Sequence, residues 1–308
     1  MNQRLTPATA LLMLLPPMMW AGNAIVGRLM NDDVPAMTLN LLRWVVAAVL
    51  LAPWGWSVWR ERALVRAAMP RLLALALAGM FSYNSFQYLA LDSSTPINVT
   101  LVASIMPVWM LLAGRVFFGV RVRRQALIAT GFTLSGVLLV LSRGDIGNLL
   151  RISLVPGDAW MLMATLGWTA YSWLLAQPTP EQRRLSANWA GFLWIQILLG
   201  IGWSALATLG EWWLFPQWGA PPAHMAWNAG VWAALLYVGI GPALIAYRAW
   251  GVGVSHVGPN IAVFFASLTP VFAATLSVLV LGDLPHWYHY VAFGCILAGI
   301  FISSRPSR

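Results

Sequence analysis

The chain has 308 residues, 60% hydrophobic and only 9% charged, with a net charge of +9 and a mean hydropathy of +0.73. A soluble domain carries nearer a quarter charged residues, which argues against a soluble enzyme, a disordered chain or a coiled coil and leaves an all-α polytopic membrane protein. All 18 basic residues are arginine and Cys295 is the single cysteine, which removes lysine Schiff-base and P-loop chemistry, an internal disulfide and a cysteine metal site.

A hydrocarbon core about 30 Å thick takes about 20 apolar residues per helix. Runs bounded by charge, Pro or Gly predict ten transmembrane helices, at 9–30, 37–58, 72–91, 96–119, 125–142, 159–177, 187–209, 226–248, 259–281 and 287–303. The first holds Trp20 and Asn23 and runs into Asn31-Asp32-Asp33. Arg4, the apolar run and Ala21-Gly-Asn-Ala24 imitate a signal peptide, but the internal repeat argues for a retained span. The second holds Asn40 and Arg43, then Arg60, Glu61, Arg62, Arg66 and Arg71. In the third, Tyr83 and Gln87 are four apart and share a face, and Asp92 follows.

The fourth span places Asn98, Ile105 and Trp109 on one face with Met106 beside them, and leads to Arg121, Arg123 and Arg124. The fifth carries Gly131, Ser135 and Gly136, small residues that let helices approach, and is followed by the balanced set Arg143, Asp145, Arg151 and Asp158. Trp168 and Tyr171 lie in the sixth, with Glu181, Arg183 and Arg184 after it; Glu211 follows the seventh. Tyr247 lies in the eighth, flanked by Arg248; Phe264 and Phe265 lie in the ninth, before Asp283. The tenth carries Gly294 and Gly299, and the tail Arg305 and Arg308. With ten spans every basic connection and both termini fall on one side, which the positive-inside bias makes cytoplasmic.

Arg43 is the one charge well inside a span. Such a residue costs about 2.5–3.5 kcal/mol on insertion scales and faces protein or water; six residues into its span, it reads either as a partner for a substrate carboxylate or gate carbonyls, or as a snorkelling side chain. No Asp or Glu lies within a span, and His224, His256, His286 and His289 lie in connections or at helix ends. This favours facilitated diffusion or exchange over proton antiport, with His256 still placed to relay protons at the inner mouth. Asp283, His286 and His289 have the spacing of one helix face, which reads as solvated anchoring rather than a metal site.

The two halves repeat. Met13, Trp20 and Asn40 precede Met161, Trp168 and Asn188 by 148 residues; further on the offset is 163, pairing Ala103-Ser104-Ile105-Met106-Pro107 with Ala266-Ser267-Leu268-Thr269-Pro270, Pro96 with Pro259, Gly119 with Gly282, Gly131 with Gly294 and Gly136 with Gly299. Residues 1–150 and 151–308 are thus predicted to be two five-helix units, and since five is odd the second is inverted in the membrane, as in many transporters. Pro96 and Pro259 read as first-turn prolines. Pro107 and Pro270, eleven residues on, lie roughly 16 Å deeper, near the midplane, and read as hinges or as the source of a cavity-lining carbonyl.

These repeats, with Ser94-Thr-Pro-Ile-Asn98…Ala-Ser-Ile-Met-Pro107 and Val257-Gly-Pro-Asn260…Ala-Ser-Leu-Thr-Pro270, resemble the drug/metabolite transporter superfamily, EamA type. The tryptophan-rich composition is similar to its aromatic and neutral amino-acid exporters. The resemblance implies a bacterial inner-membrane carrier that exports small amphipathic metabolites by alternating access, with a central cavity between the first four helices of each half and peripheral fifth and tenth helices that often form dimers. Candidate substrate-binding residues are Trp20, Asn23, Asn40, Arg43, Tyr83, Gln87, Asn98, Trp109, Trp168, Tyr171, Tyr247 and Phe264, an aromatic wall with a few polar groups. The expected partners are a small-molecule substrate, the lipid bilayer and a second copy in a homodimer, with no nucleic acid and no cofactor. A multidrug or organic-cation exporter is the alternative reading. No Gly-x-Ser-x-Gly, His-Glu-x-x-His or filter-like run supports an intramembrane enzyme or a channel.

Overall fold

The computed structural model describes residues 5–94, 99, 102–103, 105–142, 144–145, 147–148, 155–218, 223–281 and 286–304. Asn98, Pro96, Gly282 and Asp283 lie outside them. All regular structure among the described residues is helical. The first half contributes α1 (Pro7–Leu12), α2 (Leu15–Leu29), α3 (Ala36–Gly55), α4 (Arg62–Ala67), α5 (Met69–Leu75), α6 (Tyr83–Ser93), α7 (Met106–Phe118) and α8 (Arg124–Leu141). The second contributes α9 (Pro156–Ala176), α10 (Pro180–Leu185), α11 (Trp189–Leu209), α12 (Ala229–Ile240), α13 (Ala246–Val257), α14 (Pro259–Ala266), α15 (Thr269–Leu281) and α16 (Trp287–Ser304). Wide π turns at Ala76–Ser82 and Gly241–Ile245 join α5 to α6 and α12 to α13, and another, Gly210–Leu214, follows α11.

Pro7, Pro156, Pro180 and Pro259 open their helices, where a missing N–H costs no bond. Gly258, at φ +79°, ends α13 and starts α14 in one residue. Among the described residues four stretches are long and apolar enough to cross a membrane: Pro7–Leu29, Ala36–Ala67, Trp189–Gln217 and Ala229–Val257. Shorter apolar helices such as Met106–Phe118 and Pro259–Ala273 accompany them. Large apolar side chains remain exposed on the outer helix faces, Phe117 at 78% and Val49 at 67%. A soluble surface buries such patches; a lipid-facing one presents them.

Three predicted spans are not simple rods. The first is interrupted at Met13–Leu14, just before Pro16 and Pro17, because two successive residues without N–H cannot continue the ladder. The fourth and ninth break at Ile105 and at Ser267–Leu268, so Pro107 and Pro270 stand in the first turn of a new helix rather than kinking a continuous one. The eighth runs on to Val257, nine residues past its predicted end. Arg248 does not stop it, because its guanidinium lies 4.8 Å from the Trp189 ring centre and its stem lies along protein.

Packing is dense and pairwise. α3 lies against α11 and α12, α9 against α6 and α7, α2 against α13 and α15, and α8 against α16. In the α8–α16 seam a side chain on Gly136 would strike the Ala292 carbonyl, and one on Gly299 would strike Thr133. These glycines therefore serve a contact inside the chain, whereas Gly131 and Gly294 meet nothing within 4 Å.

Candidate functional site

The centre of the bundle is built around the π turn at Ala76–Ser82. A π turn misaligns the i→i−4 ladder and frees carbonyls, which buried surroundings must then satisfy. The Met80 carbonyl accepts the Trp44 indole N–H at 2.7 Å, and the Asn40 and Asn84 amides at 3.4 Å each. The Gly79 carbonyl accepts the Tyr247 hydroxyl at 2.6 Å and the Asn84 amide at 3.2 Å. Gly79 has to be glycine, because a side chain there would enter the Tyr171 ring.

Arg43 projects from α3 into this centre and is 0% exposed, so it does not snorkel. Its Nη1 donates to Asn84 Oδ1 at 2.6 Å, Tyr88 Oη at 3.1 Å and Asn23 Oδ1 at 3.5 Å. The Trp44 ring centre is 5.0 Å from Cζ, within cation–π range. Tyr88 Oη donates to Asn23 Oδ1 at 2.9 Å, and Asn23 Nδ2 to Gln87 Oε1 at 3.2 Å. Asn84 Nδ2 donates to Tyr247 Oη at 2.9 Å, so the network crosses from the first half to the second. Arg43 Nε and Nη2 have no partner among the described residues.

Beside the network lies a cluster of rings. Trp168 sits at its middle, with ring centres of Trp20 at 4.9 Å, Tyr83 at 5.0 Å, Tyr171 at 5.2 Å, and Tyr247 and Trp250 at 5.3 Å. Most of these contacts are edge-on or tilted, the orientations that ring quadrupoles favour. The Trp168 indole N–H has no acceptor among the described residues. Next to Trp20 and Trp168 a space of about 30 Å³ lies between the two helix breaks, lined by Ala103 and Met106 on one side and Ala266, Thr269 and Pro270 on the other.

Two larger cavities open at one end of the bundle. One, about 420 Å³, is lined by Arg121, Arg123, Arg183, Asn260 and Phe264 among others. The other, about 430 Å³, is lined by Arg183, Arg248 and His256 and ends on Tyr171 and Tyr247. At the opposite end the described residues are tied to one another. Glu211 accepts from the Met37 and Thr38 backbone N–H groups at 2.8 and 2.9 Å and from the Thr38 hydroxyl at 2.8 Å, replacing the side-chain cap that Pro35 cannot give α3 and placing a negative charge at a helix N-terminus. Arg28 donates to the Leu91 carbonyl at 2.8 Å, Ser94 to Asp158 at 2.8 Å, and the Ala226 N–H to the Asp33 carbonyl at 2.9 Å.

Of the residues singled out in the sequence, Trp20, Asn23, Arg43, Tyr83, Gln87, Trp168, Tyr171 and Tyr247 meet in this centre. Phe264 is buried at the wall of the first end cavity. Asn40 is buried in packing, its Nδ2 also donating to Ser85 at 2.9 Å and Ser204 at 3.0 Å. Its sequence counterpart Asn188 instead caps α11. Trp109 is half-buried on α7 with its N–H enclosed and unpartnered, and it makes none of the ring contacts of the cluster. The described residues hold no group of three or more metal-ligating side chains. Sequence reasoning missed Trp44, Asn84, Tyr88 and Trp250. Asn84 and Tyr88 were readable, as a second polar pair four residues apart.

The described residues thus form a helical bundle with a polar and aromatic centre, cavities at one end and hydrogen-bonded ties at the other. The chain belongs to the EamA-like transporter family, whose description matches residues 7–142 and 155–305. It is 24% identical over 303 residues to an uncharacterized transporter of Archaeoglobus fulgidus, covering 97% of this chain and 98% of that one. It is 23% identical over 270 residues to the aromatic amino acid exporter YddG of Ancylobacter novellus (87% and 82% covered). It is 24% identical over 294 residues to a probable terminal-alkyne amino-acid exporter of Streptantibioticus cattleyicolor (93% and 90% covered). A protein crystal structure 21% identical in sequence superposes with a TM-score of 0.72 over 96% of both chains, a likeness of fold.

Proposed function

We propose that the protein is an inner-membrane carrier that exports small amphipathic metabolites, aromatic and neutral amino acids foremost, by alternating access between two inverted five-helix halves, 1–150 and 151–308, with both termini cytoplasmic. The observation that carries this reading is one-sidedness. Cavities of about 420 and 430 Å³ open among arginines, the second reaching Tyr171 and Tyr247 of the ring cluster, while the central space is only about 30 Å³ and, among the described residues, Glu211 and its neighbours tie the far end. In this reading the state is inward-facing, and Trp168, Tyr171 and Tyr247 form the floor of the entrance.

The inversion is supported by the residues that face one another. The central space is lined by Trp20 with Trp168, Ala103 with Ala266 and Met106 with Thr269, pairs standing at the two sequence offsets. The packing partners also interchange when the halves are exchanged: α6 on α9 matches α13 on α2, and α7 on α9 matches α15 on α2. The names of two relatives support the substrate class. Flux into proteoliposomes tests the reading: saturable, trans-stimulated exchange of phenylalanine, unchanged by a pH gradient, is expected. Unsaturable flux, or none from a panel of amino acids and organic cations, overturns it.

A further inference from the structure

We infer that the Nε/Nη2 edge of Arg43 is a carboxylate receptor, and that the protein recognises its solutes by their carboxylate rather than their amine. A guanidinium binds a carboxylate through two parallel N–H donors, and the Nε/Nη2 side is such a fork. In this centre Arg43 spends only Nη1 on protein, on Asn84, Tyr88 and Asn23, which fixes the plane of the group and leaves the fork free. Nε and Nη2 are buried without a partner, and no carboxylate among the described residues pairs with Arg43. A buried cation with neutral partners is uncompensated, and an arriving anion supplies what is missing.

The surroundings have the same sign. The unpartnered polar atom of the ring cluster, Trp168 Nε1, is also a donor. The described walls of both end cavities carry arginines and no Asp or Glu, so nothing ionic there receives an ammonium group. The distance is short: the 430 Å³ cavity ends on Tyr247, Tyr247 is bound to Asn84, and Asn84 to Arg43. Two side chains, Tyr247 and Asn84, therefore stand between the entrance and the guanidinium. A solute that displaces Tyr247 and Asn84 together puts its carboxylate on Arg43 and its apolar part among Trp20, Trp168 and Trp250.

This inference deepens the carrier reading and fails separately from it. Binding to the purified protein is followed by tryptophan fluorescence, since Trp44 lies 5.0 Å from the guanidinium, with three probes: L-phenylalanine, 3-phenylpropionate, which lacks the amine, and 2-phenylethylamine, which lacks the carboxylate. The first two should bind and compete, and 2-phenylethylamine should not. Arg43→Gln should weaken 3-phenylpropionate about 10- to 100-fold, the worth of a charge-assisted pair, and Arg43→Lys, which keeps the charge without the fork, should restore only part of it. Wild-type protein that binds 2-phenylethylamine as well as L-phenylalanine, or binds neither carboxylate, overturns the proposal without any variant having to fold. Arg43-dependent binding without flux would retain the receptor and defeat the carrier reading; phenylalanine flux unaffected in Arg43→Gln would do the reverse.

Discussion

The tie at the closed end yields the most direct prediction. Glu211 holds the start of α3 through three hydrogen bonds of 2.8–2.9 Å. Glu211→Gln keeps one carbonyl acceptor but loses the second acceptor and the charge. A cap is worth about 0.5–2 kcal/mol and a charge at a helix N-terminus about 0.3–1 kcal/mol. Retaining half of the cap leaves a net loss of about 1.4 kcal/mol, which is tenfold in an equilibrium. If the far end is open in about 1% of molecules, within the usual range for a minor state, the variant raises that to about 9%. Spin labels at Leu29 and Trp213, both strongly exposed, report the separation across that end by pulsed electron resonance. Wild type should give one short distance and Glu211→Gln a second, longer one with several per cent of the amplitude. Identical distributions would show that Glu211 caps a helix and does nothing to hold the end shut.

Tyr247→Phe removes one neutral hydroxyl and should cost about 1 kcal/mol of stability, whereas Asn84→Leu strips Arg43 of its shortest bond and should cost about 3 kcal/mol or more; thermal unfolding of the two variants in the same detergent ranks them, and equal losses refute the network. Gly299→Leu should separate α8 from α16 at a cost of about 1–3 kcal/mol from overpacking, while Gly131→Leu, which meets nothing, should be neutral; the same unfolding measurement decides. Replacing Pro107 and Pro270 together with Ala should let helix close over the breaks at Ile105 and Ser267–Leu268 and slow flux; unchanged flux removes the hinge role.

How much of this was legible in the sequence depended on which physical signal each feature leaves. Spans and charge placement are compositional, so helices lie where runs of apolar residues predict them, and the end of the eighth slipped where an arginine found a ring, Arg248 on Trp189. Arg43 stood out because a charge in an apolar run is conspicuous. Of its partners Asn23 was also singled out, whereas Asn84 and Tyr88 were passed over, because the π turn inserts a register shift between α5 and α6 that a 3.6-residue period does not anticipate and so hides which face of α6 meets Arg43. Past the shift, Tyr83 and Gln87 face the rings while Asn84 and Tyr88, one position on, face Arg43. Counting sequence offsets also misled at Asn40, whose repeat partner Asn188 is a helix cap: helix α3 begins at Ala36 and α11 at Trp189, so identity at a fixed spacing did not mean equivalence in space.

The same π turn explains why so polar a centre is tolerated at membrane depth. Freed carbonyls in hydrocarbon cost several kcal/mol each unless protein satisfies them, and here Trp44, Asn40, Asn84 and Tyr247 do so. Once Asn84 is fixed by those carbonyls, its own oxygen is left to accept from Arg43. The cation is thus held by a side chain that the backbone irregularity has already positioned. A second π turn, Gly241–Ile245, precedes Tyr247 by two residues and sets the register that brings its hydroxyl onto Gly79 across the two halves. A π turn is a helix with one residue too many, and it converts to regular helix by shifting everything beyond it by about 100° of rotation. Rotation of α13 past Gly241–Ile245 would withdraw Tyr247 from Asn84 and, with it, Trp250 from Trp20 and Trp168, so the polar network and the ring cluster are held by the same helix.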